Sequence, residues 1–156
     1  MQKIKDKLLK GTLIGLLSLL GYQIGLTGVN EYLRRNSTKF ENKKQLEEVL
    51  KSEIEKLEIK NKLIKVQYQK EDQADSRKTG TNEYVISIGP SFNNDNVLKH
   101  ELYHIADGHC DYTYKLNEIY KKHPLLAPAV GFYNTSKYLF YNEPQAIIYT
   151  ATGWEI

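Results

Sequence analysis

The chain has 156 residues, of which 40% are hydrophobic and 26% charged, enough for one globular core with an appendage but hardly for two domains of ordinary size. Its net charge of +3 is small and its lysines are interleaved with glutamates, which argues for a solvated surface and against a nucleic-acid footprint. With a single cysteine, Cys110, no internal disulfide can staple the fold.

Residues Gly11 to Asn30 carry no charge, and Leu13, Ile14, Leu16, Leu17, Leu19, Leu20, Ile24, Leu26 and Val29 make the run apolar. A helix of this length just spans a bilayer. Lys3, Lys5, Lys7 and Lys10 precede it. Three readings compete for residues 1–30: a membrane anchor, a cleaved signal segment, or a buried helix. The glycines disfavour a water-soluble helix, and Gly11-x-x-x-Gly15 and Gly21-x-x-x-Gly25 suit close helix contact in lipid. Small residues at a cleavage site are lacking, since no Ala-x-Ala occurs in or just after this segment. The lysine-first pattern places the N-terminus in the cytoplasm and the downstream domain outside it, as an anchored or secreted protein. Arg34, Arg35, Lys39, Lys43 and Lys44 on the other flank make that asymmetry modest.

Residues 31–40 are polar and read as a linker, leaving 41–156 as the folded domain. From Glu41 to Lys60, the apolar positions Leu46, Val49, Leu50, Ile54 and Leu57 recur in steps of three and four, the pattern of an amphipathic helix. In Leu63 to Gln69, Ile64, Val66 and Tyr68 alternate with polar neighbours, as in a half-buried strand. Glu71 to Asn82 reads as a charged loop, and Tyr84 to Ile88 as a second strand ended by Gly89-Pro90. A helix is expected from about Asn96 to Asp107, capped by Asp95 and stopped at Gly108. Tyr112 to Lys122 reads as helical, His123 to Asn134, with its two prolines, as a mostly apolar loop, and a last helix is expected to begin near Asn142, which can cap it. The fold class is α+β.

His100-Glu101-Leu102-Tyr103-His104 carries the chemistry. Histidines at i and i+4 on a helix lie one turn apart on the same face, so both imidazoles can reach one ion. Glu101 sits beside them, angled towards a water on that ion. On the helical wheel Val97, His100, Glu101 and His104 share one side, and Leu98, Leu102, Ile105 and Ala106 share the other. The chain has only 4 histidines, and two fall in this register. A solvated face bearing these residues by chance is the bland alternative.

This segment resembles the active-site helix of zincin metallopeptidases. The third histidine of the metzincin pattern is missed by one residue at His109, and a related pattern with aspartate at that position is missed by one at Asp111. Asn142-Glu143-Pro144-Gln145-Ala146 is instead similar to the glutamate helix of gluzincins, and the likeness is closest to the small single-domain members. The resemblance implies a zincin-like domain with a small sheet, an active-site helix and a following glutamate helix. It implies Zn2+ held by His100, His104 and Glu143, with Glu101 as general base for hydrolysis of a peptide or protein substrate. His109 and Asp111 are the rival third ligands, and a carboxylate near a helix start also suits the helix dipole without any metal. The resemblance further implies a downstream donor for the tetrahedral intermediate, and Tyr112, Tyr114, Tyr120, His123 and Tyr133 are candidates. Asp107 is a candidate to orient a ligand imidazole, and the strand Tyr84 to Ile88 a candidate edge for an extended peptide. The competing function is a non-catalytic, membrane-anchored, zinc-stabilised interaction protein that uses Leu125 to Val130 as its binding patch.

Overall fold

A computed structural model of the chain describes residues 2–153, with side chains described at Ser18 and from Leu20 onward except at positions 126, 127 and 130. The lysine-rich start and the beginning of the uncharged run therefore lie outside the described side chains. The chain divides into two compact units, Met1–Tyr32 and Leu33–Ile156.

Helix α1 spans Gln2–Arg35. It runs through residues 31–35, which the sequence marks as linker, because Glu31-Tyr32-Leu33-Arg34-Arg35 holds no glycine or proline to stop it. Among the described residues no helix is long and apolar enough to cross a membrane. Leu20, Ile24, Val29 and Tyr32 of α1 are exposed. The linker reading also fails at its end. Phe40 is only 6% exposed and joins the core, its amide bonded to Asn93 O at 3.2 Å.

In the second unit, helix α2 (Lys43–Lys56) starts at Asn42, whose side chain accepts from Gln45 N at 3.0 Å. Its apolar stripe packs inward, with Leu46 and Leu57 buried and Val49, Leu50 and Ile54 half-buried against the core. Strands β1 (Leu63–Tyr68), β2 (Ala74–Gly80) and β3 (Glu83–Ile88) form one sheet in the order β1-β3-β2. β1 runs parallel to β3, and β2 antiparallel to it. The central strand is buried, with Tyr84, Ile86 and Ile88 at 1% exposure or less.

Two expectations are corrected here. The stretch read as a charged loop contains β2, an edge strand, where polar and charged residues are tolerated because one side has no strand to pair. Its Ala-Asp-Ser-Arg-Lys-Thr sequence lacks the apolar alternation that would reveal it; pairing with β3 supplies the order instead. The strand Tyr84 to Ile88 is accordingly no edge: it is paired on both sides. The β2–β3 hairpin turns through Asn82 at φ 58°, a left-handed conformation that asparagine tolerates better than most residues. Gly89, just after β3, passes so close to Glu71 O and the Gln73 backbone that a Cβ would overlap them.

Helix α3 (Asp95–Ala106) follows. Its cap is Asn94, not Asp95: the Asn94 side chain accepts from Val97 N at 3.0 Å. Asp95 instead accepts from Thr38 N at 3.0 Å and from Lys99 at 3.2 Å. Leu98, Leu102 and Ile105 are fully buried, as the wheel requires. Gly108 at φ 76° makes the turn into helix α4 (His109–Lys122), which starts ahead of the tyrosine-rich stretch. The segment read as an apolar loop is helix α5 (Ala127–Lys137). Pro128 sits in its first turn, where a missing N–H costs nothing, so proline does not forbid the helix. A π-helical turn, Tyr138–Asn142, leads into helix α6 (Glu143–Thr152), which stops at Gly153 with φ 73°.

Candidate metal centre

α3 and α6 pack against each other and bring three donors together. His100 Nε2 lies 3.2 Å from His104 Nε2 and 3.3 Å from Glu143 Oε2, and His104 Nε2 lies 3.6 Å from Glu143 Oε1. Donors on a tetrahedron around zinc, at bonds of about 2.0–2.2 Å, are spaced about 3.3 Å apart. The two imidazole nitrogens match that spacing, Glu143 approaches each of them through a different oxygen, and one donor atom from each residue lies within 4.8 Å of the others; two imidazoles and a carboxylate suit a divalent transition metal. His100, His104 and Glu143 thus form a group able to hold a metal ion.

Burial tunes these groups. It disfavours a charged His100, but the Glu143 and Glu101 carboxylates outweigh it and raise the imidazole above its usual pKa. Burial pushes the Glu143 carboxyl up, while hydrogen bonds from His100 and His104 prevail and hold it well below the usual carboxylate range. Glu143 is therefore ionised near neutral pH, as a ligand must be.

The rival ligands are placed elsewhere. Asp111 accepts from the Tyr84 hydroxyl at 2.8 and 2.9 Å and pairs with Lys78, with Lys62 at 3.8 Å. That carboxylate serves the β2–β3–α4 junction. His109 lies behind His104, its Nδ1 at 2.8 Å from His104 Nδ1 and its Nε2 at 2.7 Å from Asp107 Oδ2. Burial, and then the neighbouring His104, push His109 down to about 4, so it is neutral at pH 7.

A cavity of about 280 Å3 opens beside the triad. β2 lines one side from Ala74 to Lys78, and Glu101, His104, Tyr114, Tyr138 and Asn142 line the others. Glu101 is 7% exposed, so the cavity holds its carboxylate away from bulk water. Of the five downstream donors considered from sequence, only Tyr114 reaches the cavity. Tyr112 and Tyr133 face each other at 6.4 Å, and His123 is exposed at the end of α4.

Tyr138 was not among them. Its ring stacks on His104 at 6.1 Å and its hydroxyl lies in the field of the Glu143 carboxylate. Burial and the field of Glu143 and Glu101 push its pKa far up, which keeps the hydroxyl a proton donor. The π turn decides this placement, and π turns leave no periodic trace in sequence. The same turn displaces Asn142 from the capping role the sequence suggests. Asn142 sits in helical conformation with no capping hydrogen bond, 2% exposed, and its Oδ1 finds no partner among the described residues.

Compared with known proteins, the chain matches no family model, no curated protein and no solved structure.

Proposed function

We propose that the chain is a small zinc-dependent metallopeptidase of gluzincin type. The observation that carries this reading is the triangle of His100, His104 and Glu143 donors beside the buried Glu101 carboxylate. A structural metal site needs ligands alone; a carboxylate that follows the first histidine and lines a cavity is what hydrolysis needs in addition. His100, His104 and Glu143 would hold the zinc ion, which would supply Lewis-acid chemistry, making a water more acidic and polarising the scissile carbonyl.

The residues divide the remaining work. Glu101 takes a proton from the attacking water and delivers it to the leaving amine. Tyr138, a neutral hydroxyl on the cavity wall, donates to the oxyanion as the carbonyl becomes tetrahedral. β2 is the edge strand of the sheet and lines the cavity, so an extended peptide binds by strand addition there and not on β3. Asn142 Oδ1 accepts an N–H from that peptide.

The deciding experiment pairs zinc loading with Glu101→Gln on a peptide library. The parent is expected to bind one zinc and cleave; the variant is expected to bind zinc equally and lose at least about 100-fold in kcat. Equal activity in both removes Glu101 as the base. Zinc binding without cleavage in the parent favours the non-catalytic reading, for which Leu125, 97% exposed, offers part of a docking patch.

The same proposal keeps the N-terminal segment as a membrane anchor or a cleaved targeting segment, with the catalytic domain outside the cytoplasm. The uncharged run Gly11–Asn30 behind four lysines supports it. Protease shaving of intact cells tests it: protection until lysis reverses the orientation, and recovery in the soluble cytosolic fraction dismisses the membrane segment.

A further inference from the structure

The two nitrogens of His104 have different neighbours. Nε2 faces the other two donors of the triad, while Nδ1 faces His109 Nδ1 at 2.8 Å. The far nitrogen of His109 faces Asp107 Oδ2 at 2.7 Å. Gly108, at φ 76°, reverses the chain between α3 and α4 so that His109 folds back beside the histidine five residues earlier. Both rings are buried, at 5% and 6% exposure.

Two ring nitrogens at this distance share one proton, since two lone pairs would repel and two N–H groups would clash. With both rings neutral, only two arrangements exist. If His109 donated from Nδ1, its Nε2 lone pair would face the Asp107 carboxylate, and His104 would carry its proton on Nε2, towards the triad. If His104 donates from Nδ1, His109 accepts at Nδ1 and carries its own proton on Nε2, whose partial positive charge then lies 2.7 Å from the Asp107 carboxylate, although the contact is not aligned as a hydrogen bond. Only the second arrangement keeps a lone pair away from that carboxylate, and it leaves the His104 Nε2 lone pair free.

We propose that Asp107 and His109 are positioning residues, a carboxylate–imidazole chain that fixes His104 in the Nδ1–H tautomer and aims its Nε2 lone pair at the metal. The inference rests on the metal reading above. It goes beyond a direct carboxylate partner for the ligand, because here the carboxylate acts through an intervening imidazole. His100 has no such support: His104 Nδ1 has His109 Nδ1 at 2.8 Å, whereas His100 Nδ1 finds no hydrogen-bond partner among the described residues. The two histidines of the triad are therefore unequal, one preset and one not.

The test uses the full chain with 15N-labelled histidine and two measurements. Nitrogen shifts of metal-free protein near pH 7.5 read the His104 tautomer, and zinc titration against a competing chelator reads affinity. The parent is expected to show His104 mainly as Nδ1–H. His109→Leu and Asp107→Ala are expected to raise the Nε2–H fraction and to weaken zinc binding about 10- to 100-fold. His109→Gln, whose amide oxygen can accept from His104 Nδ1, is expected to recover most of the affinity. A packing role alone would leave the Leu variant at least as good as the Gln variant. The proposal is overturned if the Leu and Gln variants match each other in affinity, or if the tautomer stays unchanged in all variants. Failure of the parent to bind zinc would sink the metal reading instead, and the tautomer measurement would still decide the chain.

Discussion

The Tyr149 hydroxyl donates to the Glu53 carboxylate at 2.7 Å, joining α6 to α2 across the buried side of the domain. The Tyr149 ring also stacks on Tyr103 of α3 at 5.0 Å, and Lys56 Nζ sits 4.9 Å above it. One side chain thus ties the helix that carries Glu143 to the helix that carries both histidines. Removing only the hydroxyl, as Tyr149→Phe, leaves the Glu53 oxygen buried without that donor. The expected loss is about 1–3 kcal/mol, read as a lower urea midpoint at unchanged slope. A midpoint equal to the parent's would show that Glu53 finds water or Lys56 instead.

Ligand removal separates Glu143 from its rivals. Glu143→Ala, by deleting one of the three donors, is expected to weaken zinc binding more than about 100-fold. Asp111→Ala is expected to change affinity by less than about threefold while lowering stability, because its carboxylate serves Tyr84, Lys78 and Lys62. Isothermal titration at matched pH reads both. An Asp111 effect on affinity larger than the Glu143 effect would reassign the third ligand.

Tyr138→Phe keeps the ring that stacks on His104 and deletes the hydroxyl. As an oxyanion donor, Tyr138 acts in the transition state and little in the ground state. The variant is therefore expected to lose about 100-fold or more in kcat with KM close to the parent's, and to lose less in zinc affinity than in kcat, the hydroxyl lying in the field of Glu143. Equal losses from Tyr114→Phe, which also lines the cavity, would leave the donor unassigned to Tyr138.

Acid sensitivity at the sheet junction has a defined sign. Burial pushes the Asp111 carboxyl up, but hydrogen bonds from Lys78 and Tyr84 outweigh it, so its pKa in the fold lies below its ordinary value. A group lowered on folding stabilises above its unfolded pKa, about 3.9, and that contribution fades as pH falls through the folded value. The stability gap between the parent and Asp111→Asn is therefore expected to be flat above about pH 5 and to shrink steadily below about pH 4. Urea midpoints measured across that range check it; a gap that widened on acidification would contradict the assigned shift.

The sequence by itself determined the parts that depend on short spacing. His100, Glu101 and His104 share a helix face because the helix repeat puts them there, and Leu98, Leu102 and Ile105 fill the core on the other side. The stripe of α2 and the alternation in β1 and β3 were legible for the same reason. What only the tertiary structure decided depends on neighbours distant in sequence. β2 carries no apolar pattern, and β3 makes it a strand by lending it hydrogen bonds. The α5 segment, read as a loop for its prolines, is helical because Pro128 falls where a helix lacks a donor anyway. The π turn rotates Tyr138 onto His104 and withdraws Asn142 from capping, and no residue in it announces that extra residue per turn. The third donor is the clearest case. Glu143, His109 and Asp111 were all chemically eligible, and the choice fell to packing. The contact of α6 with α3 brings Glu143 to the two imidazoles, the Gly108 turn puts His109 behind His104, and Lys78 and Tyr84 claim Asp111.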